Sequence, residues 1–204
     1  MNKRFAWNFE INTDAPFVFP MNDVNATANT NKHWETRFFW MDNEVIAVSG
    51  LEESLLELSR YKIKHRTDHY YLLPDADYNL KNRRGKLTYK PIIERTKNAI
   101  AYGKKITLTD CVVDKKIDAA RLIERIKTQG QLVTVEKEAL IYTYQQSTPI
   151  KIEFARLRID QAIYFSLSIE SASQMLVENF SQRMVNHATP CDYITFLKKQ
   201  TIPS

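Results

Sequence analysis

Glycine is scarce in this chain of 204 residues: Gly50, Gly85, Gly103 and Gly130 are the only four, and they are widely dispersed. Walker-type phosphate loops and dinucleotide fingerprints need several glycines within a few residues, because bare backbone N–H groups must approach the phosphates closely. Both chemistries are excluded. Cysteine is nearly absent as well. Cys111 and Cys191 stand apart, with no Cys or His at ligand spacing beside them, which leaves no disulfide framework and no structural zinc site. Nothing approaches 18 consecutive apolar residues, and residues 1–10 lack the apolar core of a signal peptide, so the sequence reads as cytoplasmic, with no membrane partner. The charge excess is also small. With 29 Lys and Arg against 24 Asp and Glu, the net charge of +5 favours anionic partners, but spread evenly it makes no nucleic-acid footprint.

What is present is an ordinary globular composition, 44% hydrophobic and 26% charged, in a length suited to one domain. Residues 1–32 read as an amino-terminal extension: a short strand over 4–9, then a loop-like stretch with two prolines and an asparagine-rich run over 22–31. From His33 the chain is strand-rich. Alternation predicts strands at 33–40, 67–73, 79–83, 86–92, 105–109, 132–144, 150–160 and 163–170. Ser49-Gly50-Leu51-Glu52 matches a capping box, and Leu51, Leu55 and Leu58 follow at helical spacing, so a helix is expected to about residue 60. A second helix near 114–128 ends at Gly130, a third opens at Ser171, and a short one covers 192–199.

Splitting the strands into their two faces shows polar and apolar sets. Over 163–170, Ile163, Phe165, Leu167 and Ile169 oppose Tyr164, Ser166, Ser168 and Glu170. Lys81 shares a face with Arg83, as Lys86 does with Lys90 and Lys137 with Val135 and Ala139. Two architectures accommodate this. The charges face water on a half-exposed antiparallel sheet, or the sheet closes into a barrel with apolar faces outward and a charged lumen suited to a small anion held with a metal. Periodicity alone does not choose.

The segment His33-Trp34-Glu35-Thr36-Arg37-Phe38 resembles the opening E-x-E-x-K strand of the CYTH superfamily, the triphosphate tunnel metalloenzymes. Further segments follow in the family's order. Arg66-Thr67-Asp68-His69-Tyr70 resembles its arginine–aspartate–tyrosine strand, and Leu80-Lys81-Asn82-Arg83 with Lys86 to Lys90 resembles its K-x-R hairpin. Val135-Glu136-Lys137 resembles the V-x-K strand, and Ile152-Glu153-Phe154 and Ser168-Ile169-Glu170 the final carboxylate-bearing pair.

The resemblance implies an α+β fold, an antiparallel closed β-barrel (tunnel) with helices packed outside, over residues 33–204. It implies Arg37, Lys81, Arg83, Lys86, Lys90 and Lys137 as phosphate-binding residues. It also implies Mg²⁺ or Mn²⁺ on Glu35, Glu153, Glu170 and His33, with Glu35 the catalytic candidate. The implied activity is metal-dependent hydrolysis of a small anionic triphosphate: inorganic triphosphate, a nucleoside triphosphate or thiamine triphosphate. Departures from the pattern leave a second reading, binding of a polyphosphate-type anion without turnover. His33 stands for a Glu, Arg37 for a Lys, Ala139 for an Arg and Ser168 for a Glu.

Overall fold

The computed structural model describes residues 1–20, 32–75, 78–108 and 119–201. Twelve strands occur in chain order: β1 (Asn2–Ala6), β2 (Phe9–Asn12), β3 (His33–Met41), β4 (Ile46–Ser49), β5 (Lys62–Leu72), β6 (Tyr78–Arg83), β7 (Lys86–Arg95), β8 (Ile100–Tyr102), β9 (Ile106–Thr107), β10 (Gln131–Tyr144), β11 (Ile150–Ile159) and β12 (Ala162–Ser171). The helices are α1 (Ala119–Gln129), α2 (Gln174–Met184) and α3 (Tyr193–Thr201). Eight strands pair in the order β6-β5-β10-β11-β12-β3-β8-β7, and β7 pairs back onto β6, so the sheet closes on itself, antiparallel throughout. The closed barrel, not the half-exposed sheet, is the architecture. The β6–β7 hairpin turns at Arg84 and Gly85, both with positive φ (52° and 76°), the backbone a two-residue hairpin loop needs to match strand twist.

The outer apolar faces are covered rather than solvated. Leu167 and Ile169 of β12, Ile152 and Phe154 of β11 and Phe38 of β3 share one core with Phe9 and Ile11 of β2, Val48 of β4, and Leu176, Val177, Phe180 and Met184 of α2. Phe9 and Ile11 are fully buried there, with the Phe9 ring edge-on to Phe154 at 5.0 Å, so the start of the amino-terminal stretch is part of the packed core. It forms a hairpin, the expected strand over 4–9 being interrupted by Trp7 at φ 48°, and β2 continues in parallel register onto β4. The rest of that stretch, 21–31, lies outside the described residues, as do Cys111 and the start of the second expected helix.

The capping-box helix does not form. Ser49 is held in extended geometry by its pairing with Asn12, Gly50 takes φ 82°, and two 3₁₀ turns, Glu53–Leu56 and Leu58–Arg60, follow instead. Leu51 and Leu55 reach the core, while Leu58 is 46% exposed, so the apparent helical stripe is not a buried face. The third helix is capped by Ser173, whose Oγ accepts from Leu176 N at 3.3 Å; Ser171 instead ends β12. β4 and β8, absent from the sequence reading, are too short to show alternation.

α3 sits across one end of the barrel. Its Tyr193, Ile194, Phe196 and Leu197 pack against the inward residues Val133, Val135 and Ala139 of β10, Ala155, Leu157 and Ile159 of β11, and Tyr70 and Leu72 of β5. The Phe196 ring stacks on Phe39 of β3 at 3.8 Å. That half of the interior is dry and apolar, and the charged residues occupy the other half.

Candidate functional site: a basic lumen

Along β10 and β11 the inward positions change from apolar to charged at Lys137 and Glu153, and the same alternation brings Arg66 on β5, Lys81 and Arg83 on β6, Lys86 and Lys90 on β7, and Glu35 and Arg37 on β3 into one cavity of about 680 Å³. Eleven Lys and Arg side chains line it against three carboxylates, Glu35, Glu153 and Glu170. Cross-strand register sets the layers: Lys137 pairs with Arg66, Lys151 with Glu170, Arg37 with Ser168, and Glu35 with Glu170.

The carboxylates organise the cations. Glu153, 2% exposed, accepts from Lys137, from Arg66 Nη2 at 3.1 Å and from Arg37 Nη1 at 3.4 Å. Burial alone would push Glu153 up; Lys137, Arg37 and Arg66 outweigh it and hold the carboxyl well below its ordinary range. Asp68, 1% exposed, plays the same part on the opposite wall, where Arg83 grips it through two nitrogens and Lys81 approaches to 3.7 Å. Burial pulls the Lys81 ammonium down to about 8 against the attraction of Asp68. Arg37 is tied to Glu35 through Nε at 2.8 Å, and Glu170 to Lys151 and to His33 Nε2 at 2.9 Å. Toward the opening the balance changes: Lys64, Arg84, Lys86, Lys90 and Lys105 form no ion pair among the described residues, and Lys90 lies only over the Tyr102 ring at 4.2 Å.

All six residues expected to bind phosphate line this one cavity, as do the three expected carboxylates; His33 stands beside it through Glu170. Sequence reasoning passed over Lys64, Arg66, Arg84, Lys105 and Lys151 as site residues, and over Asp68 and Tyr193. The inward alternation Lys64, Arg66, Asp68, Tyr70 was available as a signal for the β5 members; nothing in the chain order points to Tyr193. Ala139 lies where α3 packs, so the space a family arginine would occupy is filled by the apolar plug.

A divalent cation was tested against the donors present. Glu35 and Glu170 are directly opposed on one face of β3 and β12, an arrangement of like charges that costs stability unless positive charge joins them. Next along that face, the Ser168 Oγ is buried with no hydrogen-bond partner. Mg²⁺ or Mn²⁺ takes one or two carboxylates when phosphate and water oxygens complete the shell, and Glu35 with Glu170 fits that requirement. Glu153 is placed differently, its oxygens already engaged by three cations. Among the described residues no three acidic, His or Cys side chains converge as a preformed metal cluster. Nor is any described helix long and apolar enough to cross a membrane.

No family model and no curated protein matches the chain. Solved structures similar to it include one named as a candidate adenylate cyclase of Bacillus halodurans, at 9% identity and TM-score 0.40, over 85% of this chain and all of that one. Another is a Hippeastrum protein, named as a candidate adenylyl cyclase with a dominant triphosphatase activity, at 13% identity and TM-score 0.39, over 85% of this chain and 89% of that one.

Proposed function

We propose that the lumen binds a small linear triphosphate-type anion and hydrolyses it with the help of a divalent cation. The observation that carries this reading is the imbalance of charge in a closed, 680 Å³ interior: eleven cations, five of them without an ion pair, against three carboxylates. Enclosed cations of this number are costly without counter-charge, and consecutive phosphoryl groups supply it at the right density. Arg37, Lys137 and Arg66 would meet the inner phosphate and Lys81, Arg83, Lys86 and Lys90 the outer ones. Glu153 and Asp68 set the positions of these cations so that little reorganisation accompanies binding. Glu35 and Glu170, with His33 behind, would hold the Mg²⁺ or Mn²⁺; when bound, such an ion neutralises charge on the phosphoryl oxygens. Glu35 is also the carboxylate placed to orient an attacking water in line.

A second reading, binding without turnover, is favoured by one observation: Glu153 is committed to Lys137, Arg37 and Arg66, leaving a lean donor set. Phosphate release from inorganic triphosphate with Mg²⁺ and with Mn²⁺, wild type against Glu35→Gln, decides between them. Release that falls at least a hundredfold in the variant supports hydrolysis. Calorimetric binding with no mutation-sensitive release under either metal leaves the binding reading, and no binding at low salt sinks both.

A further inference from the structure

Tyr193, the first residue of α3, forms the floor of the charged half of the lumen. Its side chain is 3% exposed and lines the cavity, yet its hydroxyl has no hydrogen-bond partner. A buried polar group left unpaired costs stability, and in a native protein it calls for an explanation. Packing alone would be served by phenylalanine: the ring is fully used, stacked on Tyr70 at 5.0 Å and edge-on to Phe39 at 5.6 Å. The hydroxyl is therefore the feature to account for.

Its surroundings are those of an anion site. The guanidinium of Arg37 lies 5.1 Å and the ammonium of Lys137 5.7 Å from the ring centroid. The phenol oxygen senses the charges of Arg37, Glu153, Asp68 and Arg66, which places it amid the innermost ion pairs. Burial is the main cause holding the phenol above its ordinary pKa, so at neutral pH it keeps its proton and can donate. The residue is also fixed in place. The preceding Asp192 caps the helix through Thr195 N at 2.9 Å and accepts from Arg95 at 2.8 Å, while Cys191 N donates to the Arg37 carbonyl at 2.8 Å.

We infer that Tyr193 is a ligand-binding residue whose hydroxyl donates to an oxygen of the terminal phosphoryl group seated at the closed end of the lumen. The inference rests on the anion-binding reading above and adds to it a direction: the ligand enters phosphate first, and any organic part stays at the open end. From Lys137 to Ile141, four residues along a strand tilted as barrel strands are, the lumen is about 10 Å deep, enough for a few phosphoryl groups and no more.

The test is calorimetric titration of the full chain with inorganic triphosphate, wild type beside Tyr193→Phe, with melting temperatures of both ligand-free proteins. The expected result is affinity about tenfold weaker in the variant, with a melting temperature unchanged or higher, since the unpaired hydroxyl is gone. A purely structural tyrosine would lower stability without that selective loss. If wild type and Tyr193→Phe bind triphosphate equally, this inference fails while the anion reading stands. If the wild type itself does not bind, the anion reading fails and carries this one with it.

Discussion

Replacing Glu153 by Gln preserves shape and removes one negative charge from the most enclosed ion cluster in the molecule. Three cations converge on that carboxylate: Lys137 and Arg37, 5% and 6% exposed, and Arg66 at 3.1 Å. Breaking a buried pair by removing one partner costs about 3–5 kcal/mol, because the remaining charges stay desolvated without compensation. For a chain of this size each kcal/mol lowers the melting temperature by about 2–4 °C, so Glu153→Gln is expected to melt roughly 10 °C below wild type. A bound anion then changes the outcome. Phosphate oxygens near Arg37 and Lys137 replace the missing charge, so triphosphate raises the variant's melting temperature by more than it raises the wild type's; for a ligand at about 100 times its Kd the wild-type gain is about 2.7 kcal/mol. Differential scanning calorimetry with and without triphosphate at low salt reads both effects. A ligand-free fall under 2 °C would refute the claim that Glu153 organises the cluster. Equal ligand shifts in the two proteins would refute the placement of the anion beside it.

Two further outcomes follow from the geometry. Lys81 is held near a pKa of about 8 by burial, so above pH 8 it is increasingly neutral in the free protein and anion binding must recapture a proton. The ratio of triphosphate affinities, wild type to Lys81→Arg, should therefore fall between pH 7 and pH 9, since Arg stays charged throughout; a ratio that is flat in calorimetry contradicts this. Phe196→Ala removes the ring stacked on Phe39 at the apolar plug and should cost about 3–5 kcal/mol, read as a lower denaturation midpoint in urea with a similar slope.

The inward half of the design was legible because a strand's period of two is visible in the chain. Lys81 and Arg83, Lys86 and Lys90, and Lys151 and Glu153 each announce a shared face, and the structure turns each pair into the same cavity. What alternation cannot carry is closure. Whether β6 meets β7 around the barrel depends on eight strands agreeing in tilt and register, and β8, which links β3 to β7 with three residues, gives no periodic signal at all. Local chemistry misled at Ser49, where a capping-box pattern lost to a tertiary pairing with Asn12. Tyr193 was invisible for a different reason. It reads as a helix residue of ordinary apolar type, and its importance comes only from α3 swinging back across the barrel mouth, a contact between positions 193 and 70 that no local window contains.

The small net charge of the whole chain takes on another meaning once the lumen is resolved. Eleven of the 29 Lys and Arg residues line the cavity, but only three of the 24 Asp and Glu do, so the remainder of the chain carries more carboxylates than cations. The molecule is basic within and mildly acidic elsewhere. At physiological salt, exposed charges are screened within about 8 Å, whereas charges in an enclosed, low-dielectric cavity keep most of their field. The excess positive charge therefore acts where only a slender anion reaches it, and a duplex or a lipid surface, too wide to enter, meets an exterior without matching charge. Selection for a small polyanion follows from where the cations sit rather than from how many the chain contains.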